Sequence, residues 1–199
     1  MRSLCIVVCC LLCCVLGTSV AATEQHLVLN RINVVVWTPP ASAPKPYPVL
    51  LFSHGFHGCA TQSTFLLQAF AAAGYIVFAP NHADATCNGG KAGWSDRPEQ
   101  SFIRVARWSS ATFHKREEDM ASLVAALQSD PKWRDQLDWT RLGLIGHSLG
   151  GYTALALGGA WPSWQLPHVT IKAILALSPY SSPFLRPTNR GVKTFPLKY

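Results

Sequence analysis

Five short apolar runs, separated by stretches of helical periodicity, leave this chain few architectures. The runs are Val34 to Trp37, Val49 to His54 (VLLFSH), Tyr75 to Pro80 (YIVFAP), Arg141 to His147 (RLGLIGH) and Ile171 to Ser178 (IKAILALS). A strand with one wet face alternates polar and apolar residues, whereas continuous runs suit strands covered on both sides, as in a parallel sheet. Parallel neighbours need long crossovers, and helical patterns stand where crossovers are required. Phe65, Leu66, Ala69, Phe70 and Ala73 fall at helical spacing, with Gly74 as the stop. Met120, Leu123, Val124 and Leu127 repeat the i, i+3, i+4, i+7 pattern, with Glu117 and Glu118 in the first turn and Pro131 beyond the end. A third helix is expected just after Ser148. The pattern predicts an α/β chain: an open, mostly parallel sheet with helices on both faces.

The first residues do not belong to that sheet. Arg2, an apolar run from Leu4 to Leu16 and the small residues of Thr18-Ser19-Val20-Ala21-Ala22 have the order of a secretory signal. The run is shorter than the roughly 18 apolar residues of a membrane span. Residues 1–22 are therefore read as a signal peptide and 23–199 as a single domain of a secreted or extracytoplasmic protein, with no stable membrane span after cleavage. Five of the seven cysteines lie in the signal, leaving Cys59 and Cys87 as an even pair and a disulfide candidate in an exported chain. Hydrophobic residues make up 49% and charged residues 14%, against about 25% charged in typical soluble chains, which excludes disorder. The net charge of +7 is scattered, without a basic run of five, so nucleic acid is not an expected partner. Nothing in the sequence sets an oligomeric state. Ala83 to Thr112, with Gly89-Gly90, Gly93, Trp94 and Pro98, is the least regular stretch and reads as an excursion over the sheet.

Gly146-His147-Ser148-Leu149-Gly150 matches G-x-S-x-G at the end of an apolar strand and the start of a helix rich in small residues. A nucleophile on so tight an elbow needs small residues two before and two after it, so that strand and helix can pass closely, and Gly146 and Gly150 meet that need. The helix N-terminus beneath Ser148 presents amide hydrogens to a developing oxyanion. His147 is expected to pack beside the elbow. His54-Gly55-Phe56-His57-Gly58 follows the strand from Val49, where the second oxyanion donor of such sites arises. The backbone N–H groups of Phe56 and Leu149 are the candidate pair. His54 and His57 have no third ligand nearby in sequence, so no metal site is read there.

These motifs, GHSLGG, FSHGFHG and AGYIVFAPNH, resemble the α/β-hydrolase superfamily. Within it they are similar to the dienelactone hydrolase-like and platelet-activating-factor acetylhydrolase-like branch, which includes chlorophyllases and polyester-cleaving lipases. The resemblance spans about Val34 to Pro183. It implies hydrolysis of a small-molecule or lipid-like ester through a Ser148 acyl-enzyme, without metal or organic cofactor. It also implies that the strands at Val49 and Tyr75 are neighbours, which would bring Cys59 and Cys87 together as a bridge.

In this family the acid and the histidine follow the serine. After Ser148 there is no Asp or Glu, and the one histidine, His168, precedes a strand and so belongs to the opposite edge of a parallel sheet. Thr194 to Tyr199 (TFPLKY) reads as the start of another strand, so the expectation is a truncated hydrolase domain with its last strands missing. The alternative is a secreted binding protein that retains the pocket without the chemistry. His54, His82 and Trp94 are candidates for the pocket, and Ser148, His82 and Asp84 for an improvised triad. Trp108, Trp161 and Trp164 are read as pocket or core, and Arg116 with Asp119 as a pair on one helix face.

Overall fold

The computed structural model describes residues 22–88, 102, 104 and 107–185. Nearly all of the signal segment, Trp94 and much of the irregular stretch lie outside these residues. The first strand, β1 (Thr23–Leu29), is one that the apolar runs do not announce. Each of the five runs then forms a strand: β2 (Ile32–Thr38), β3 (Tyr47–Ser53), β4 (Ile76–Pro80), β5 (Leu137–His147) and β6 (Ile171–Leu177). They make one six-stranded sheet in the order β1-β2-β4-β3-β5-β6. β3, β4, β5 and β6 run parallel, while β2 is antiparallel to both β1 and β4.

β1 is a largely exposed edge strand, and it turns into β2 through Asn30 and Arg31, both at positive φ (46° and 65°). That backbone matches the right-handed twist of a hairpin, although Asn-Arg is not the Asn-Gly pair that would have signalled it. β5 begins at Leu137, four residues ahead of the apolar run, because a register shift opposite Pro48 and Val49 interrupts its period.

Adjacent strand residues point to opposite faces, so Leu51 and Phe52 enter different layers, each fully buried. One layer is closed by α1 (Thr64–Ala72) through Leu67 and Ala71. The other is closed by α2 (His114–Ser129), through Met120, Leu123, Val124 and Leu127. The short α3 (Pro131–Arg134) adds Trp133, edge-on to Phe78 at 5.2 Å, and α4 (Leu149–Leu155) adds Leu149, Tyr152 and Ala154. Helices therefore cover both faces, as the crossovers require. Trp161 and Trp164 belong to this second layer: their indole N–H groups donate to Tyr152 Oη (2.8 Å) and the Ser110 carbonyl (2.7 Å). Trp108 packs edge-on to Tyr152 at 5.1 Å. These three tryptophans fill the core.

β6 is the least covered of the parallel strands, and among the described residues no strand pairs with its outer edge. The parallel arrangement brings the ends of β3, β4, β5 and β6 to one rim of the sheet. Ligands gather there in open α/β folds.

Candidate active site

Ser148 joins β5 to α4 with φ 53° and ψ −115°, a backbone region that a residue with a β-carbon holds only when its surroundings enforce it. The enforcement is visible. The Ser148 N–H donates to the Leu177 carbonyl at 2.9 Å, and its own carbonyl accepts from Tyr180 N–H at 3.0 Å and Tyr152 N–H at 3.1 Å. The end of β6 and the first turn of α4 thus grip the bend from two sides. A β-carbon at Gly146 would collide with the backbone of Gly150, and one at Gly150 would collide with the Ser53 and His54 carbonyls. The glycines let α4 descend directly onto the end of β3. Ser148 itself remains partly open to solvent.

The segment after β3 is a turn closed by Gly58 N–H to the Gly55 carbonyl at 3.0 Å, with His57 at φ 53° in its third position. A turn closed in this way makes no use of its second amide, here Phe56 N–H, which has no acceptor among the described residues. The Phe56 ring is anchored by stacking on His57 at 3.8 Å and by edge contact with Phe102 at 5.3 Å. Leu149 is the first residue of α4, where the amides have no intrahelical acceptor. His147 lies against this turn: a β-carbon at Gly55 would stand 3.3 Å from His147 Nδ1, a buried nitrogen without a hydrogen-bond partner among the described residues.

Beneath the turn lies a buried polar layer. His54 Nε2 accepts from His82 N–H at 3.0 Å, so its proton resides on Nδ1 and is donated to the Gly55 carbonyl at 2.7 Å. A second proton, on Nε2, would face the His82 N–H. Burial, followed by the His82 and Arg116 charges, pushes His54 down to about 3. His82 is fully buried and engaged at both nitrogens, Nδ1 with Asp119 Oδ2 at 3.2 Å and Nε2 with Ser53 Oγ at 2.8 Å. Burial and the Arg116 charge lower it as well. With Nδ1–H donated to the carboxylate, the Ser53 hydroxyl donates to Nε2.

The geometry separates the residues proposed for an improvised triad. Asp84 does not orient His82; it receives Arg116, from Nε at 3.1 Å and from Nη2 at 2.8 Å. Burial alone would raise the Asp84 carboxyl, but the Arg116 charge and hydrogen bonds hold it below its ordinary range. The helix-face reading of Arg116 and Asp119 is corrected in the same way. Arg116 turns to Asp84, the Ser53 hydroxyl and the His54 and Gly55 carbonyls, and Asp119 turns to His82 and to Ala83 N–H at 3.2 Å. One signal in the sequence bore on this: Arg116 and Asp119 fall on the same stripe as Met120, Leu123 and Leu127, so the helix's apolar face carries two charges. Charges on a buried face need partners, and the partners lie in the loop after β4.

Cys59 and Cys87 come together at the ends of β3 and β4, Cα to Cα 6.0 Å. Among the described residues no group of three or more His, Cys, Asp or Glu converges as for a metal ion, and no helix is long and apolar enough to cross a membrane.

Comparison with known proteins gives the family and the fold. Residues 18–183 match the family described as chlorophyllase. Chlorophyllase-1 of Arabidopsis thaliana is 28% identical over 150 residues, 75% of this chain and 39% of that protein. A monoacylglycerol lipase of Mycolicibacterium smegmatis is 29% identical over 132 residues, 66% of this chain and 39% of its own length. The chain thus spans about two fifths of the curated relatives it matches. A dienelactone hydrolase-like promiscuous phosphotriesterase from metagenomic libraries shares the fold, at TM-score 0.50 and 15% identity over 69% of this chain and 54% of that one.

The low imidazole values carry a consequence for stability. Because His54 titrates near 3 when folded and near 6.5 when free, the unfolded chain alone binds a proton between those values. The histidine's contribution is fully present above pH 6.5 and is lost as the pH falls toward 3. Urea titrations across that range should show stability falling by about 1.4 kcal/mol per pH unit for this group, and His54→Gln should remove one proton's worth of slope. An unchanged slope in the variant would contradict the buried neutral assignment.

Proposed function

The chain belongs to the chlorophyllase family of the α/β-hydrolase superfamily, and from that premise we propose that it is a secreted serine hydrolase of carboxylic esters with Ser148 as nucleophile. The observation that carries this is the Ser148 backbone at φ 53°, ψ −115°, clamped between two glycines at the end of a parallel strand. Ser148 Oγ attacks the ester carbonyl while a general base takes its proton. The carbonyl oxygen, now negative, is held by the N–H groups of Phe56 and Leu149, each worth about 3 kcal/mol in the transition state. Collapse expels the alcohol, which leaves with the proton, and water then releases the acid from the acyl-enzyme by the same steps. The printed names of the relatives, a chlorophyllase and a monoacylglycerol lipase, support an ester with a lipid-like part as substrate.

The base and its acid are not assigned to His54 or His82, whose nitrogens are committed to the polar layer. Nor are they assigned to His168, which lies at the other end of the sheet, just ahead of β6. On this reading no described residue supplies the base. Ser53 is excluded as nucleophile because it is buried and its hydroxyl is already bonded to His82 and Arg116.

In protein made from the complete reading frame, Ser148→Ala should reduce turnover of p-nitrophenyl butyrate by about 10³-fold or more. Turnover unaffected by the substitution would remove the enzyme reading and favour a binding protein. The 199-residue chain by itself should show little Ser148-dependent turnover; a large rate would place the base among its own residues.

Export and the cysteine pair are proposed together. With the signal removed, Cys59 and Cys87 are the two remaining cysteines, and as a disulfide they would close a 28-residue separation and contribute about 3 kcal/mol. Thiol titration of the folded, unreduced protein should find neither cysteine reactive. Two reactive thiols would overturn the bridge.

A further inference from the structure

Arg116 is fully buried at the base of the turn that carries Phe56, and every one of its five N–H donors is used. Nη1 donates to the His54 carbonyl at 2.7 Å and to Ser53 Oγ at 3.3 Å. Nη2 donates to the Gly55 carbonyl at 3.0 Å and to Asp84 Oδ2 at 2.8 Å, and Nε donates to Asp84 Oδ1 at 3.1 Å. Asp84 Oδ2 in turn accepts His57 N–H at 3.2 Å. The carbonyls on one side of Phe56 are therefore held by the cation and the amide on its other side by the paired carboxylate.

We propose that Arg116 and Asp84 are positioning residues for the oxyanion site: acting as one fork from α2 and the loop after β4, they fix the 54–57 backbone so that the Phe56 N–H, which they do not bond, is left pointing to where the substrate oxygen becomes negative. This rests on the proposed Ser148 chemistry. A guanidinium suits the task because its donors lie in one plane at fixed angles, so two successive carbonyls and a carboxylate can be registered against each other. A lysine in its place could donate three hydrogen bonds but could not hold that planar set. Asp84 serves a second purpose, because a buried cation without a counter-ion would be strongly destabilising. An oxyanion donor contributes only if it is aimed before the reaction starts, which gives a pair that touches no substrate a specific effect on the transition state.

The test uses protein from the complete reading frame and p-nitrophenyl butyrate. Asp84→Asn, which keeps the shape and removes the charge, should lower kcat by about 10- to 100-fold with KM held within about twofold. The affinity for a trifluoromethyl ketone, which mimics the tetrahedral state, should fall by the same factor as kcat/KM. A variant that retains kcat and ketone affinity would overturn the proposal. Arg116→Lys supplies the same comparison if Asp84→Asn does not fold. A measurement on the unsubstituted protein needs no variant and no turnover: amide exchange by NMR should find His57 N–H protected at least about tenfold more than Phe56 N–H. The reverse order would overturn the clamp. If Ser148→Ala leaves turnover intact, the enzyme reading fails, while the exchange result still decides whether the fork shapes the turn.

Discussion

Nothing larger than a hydrogen fits between the backbone of Gly150 and the carbonyls of Ser53 and His54, and the site is arranged around that contact. It sets the first turn of α4 directly on the end of β3, which places the amide of Leu149 and the turn carrying Phe56 on one side of the rim. It also fixes the angle at which the chain leaves β5, and that angle is what forces Ser148 to φ 53°. The strain at Ser148 is sustained by the grip of Leu177, Tyr180 and Tyr152 on its backbone. Since the strain exists only while those neighbours are in place, the elbow is a product of the whole sheet rather than of the five residues of its motif.

Directly under the turn the protein buries an arginine, two histidines, a serine and the Asp119 carboxylate, with the half-buried Asp84 beside them, where apolar packing would be simpler. The layer is tolerable because its donors and acceptors meet: the histidines are neutral, Arg116 faces Asp84, and Asp119 holds His82. Ser53, His82 and Asp119 even reproduce the bond order of a catalytic triad. Their burial makes them a brace, and the accessible serine is the one on the strained elbow. Burial and backbone conformation, not connectivity, separate the two.

Much of the sheet is legible in the sequence because strands covered on both faces must be apolar throughout, and VLLFSH and YIVFAP leave little else to be; IKAILALS reads the same way although β6 is only partly covered among the described residues. β1 escapes because it is an edge strand with most side chains in solvent, closed by an Asn30-Arg31 turn that lacks the usual glycine. The elbow is legible because G-x-S-x-G is local, and its two glycines act within a few residues of each other. The polar layer is not legible in that way. Arg116 meets Asp84 across 32 residues and Asp119 meets His82 across 37, and periodicity can say only that these charges stand on a buried stripe. Pairing between a helix and the loop after a strand depends on which strand the helix covers, which spacing along one helix does not contain.

As a nucleophile, the Ser148 hydroxyl must face two amide hydrogens able to hold a negative oxygen between them. A crystal structure of the complete protein after reaction with an alkyl fluorophosphonate tests it most directly. Phosphorus should be bonded to Ser148 Oγ, with one phosphonyl oxygen about 2.7–3.1 Å from both the Phe56 and Leu149 nitrogens. Phosphorus on another residue, or a phosphonyl oxygen turned away from both amides, would contradict it.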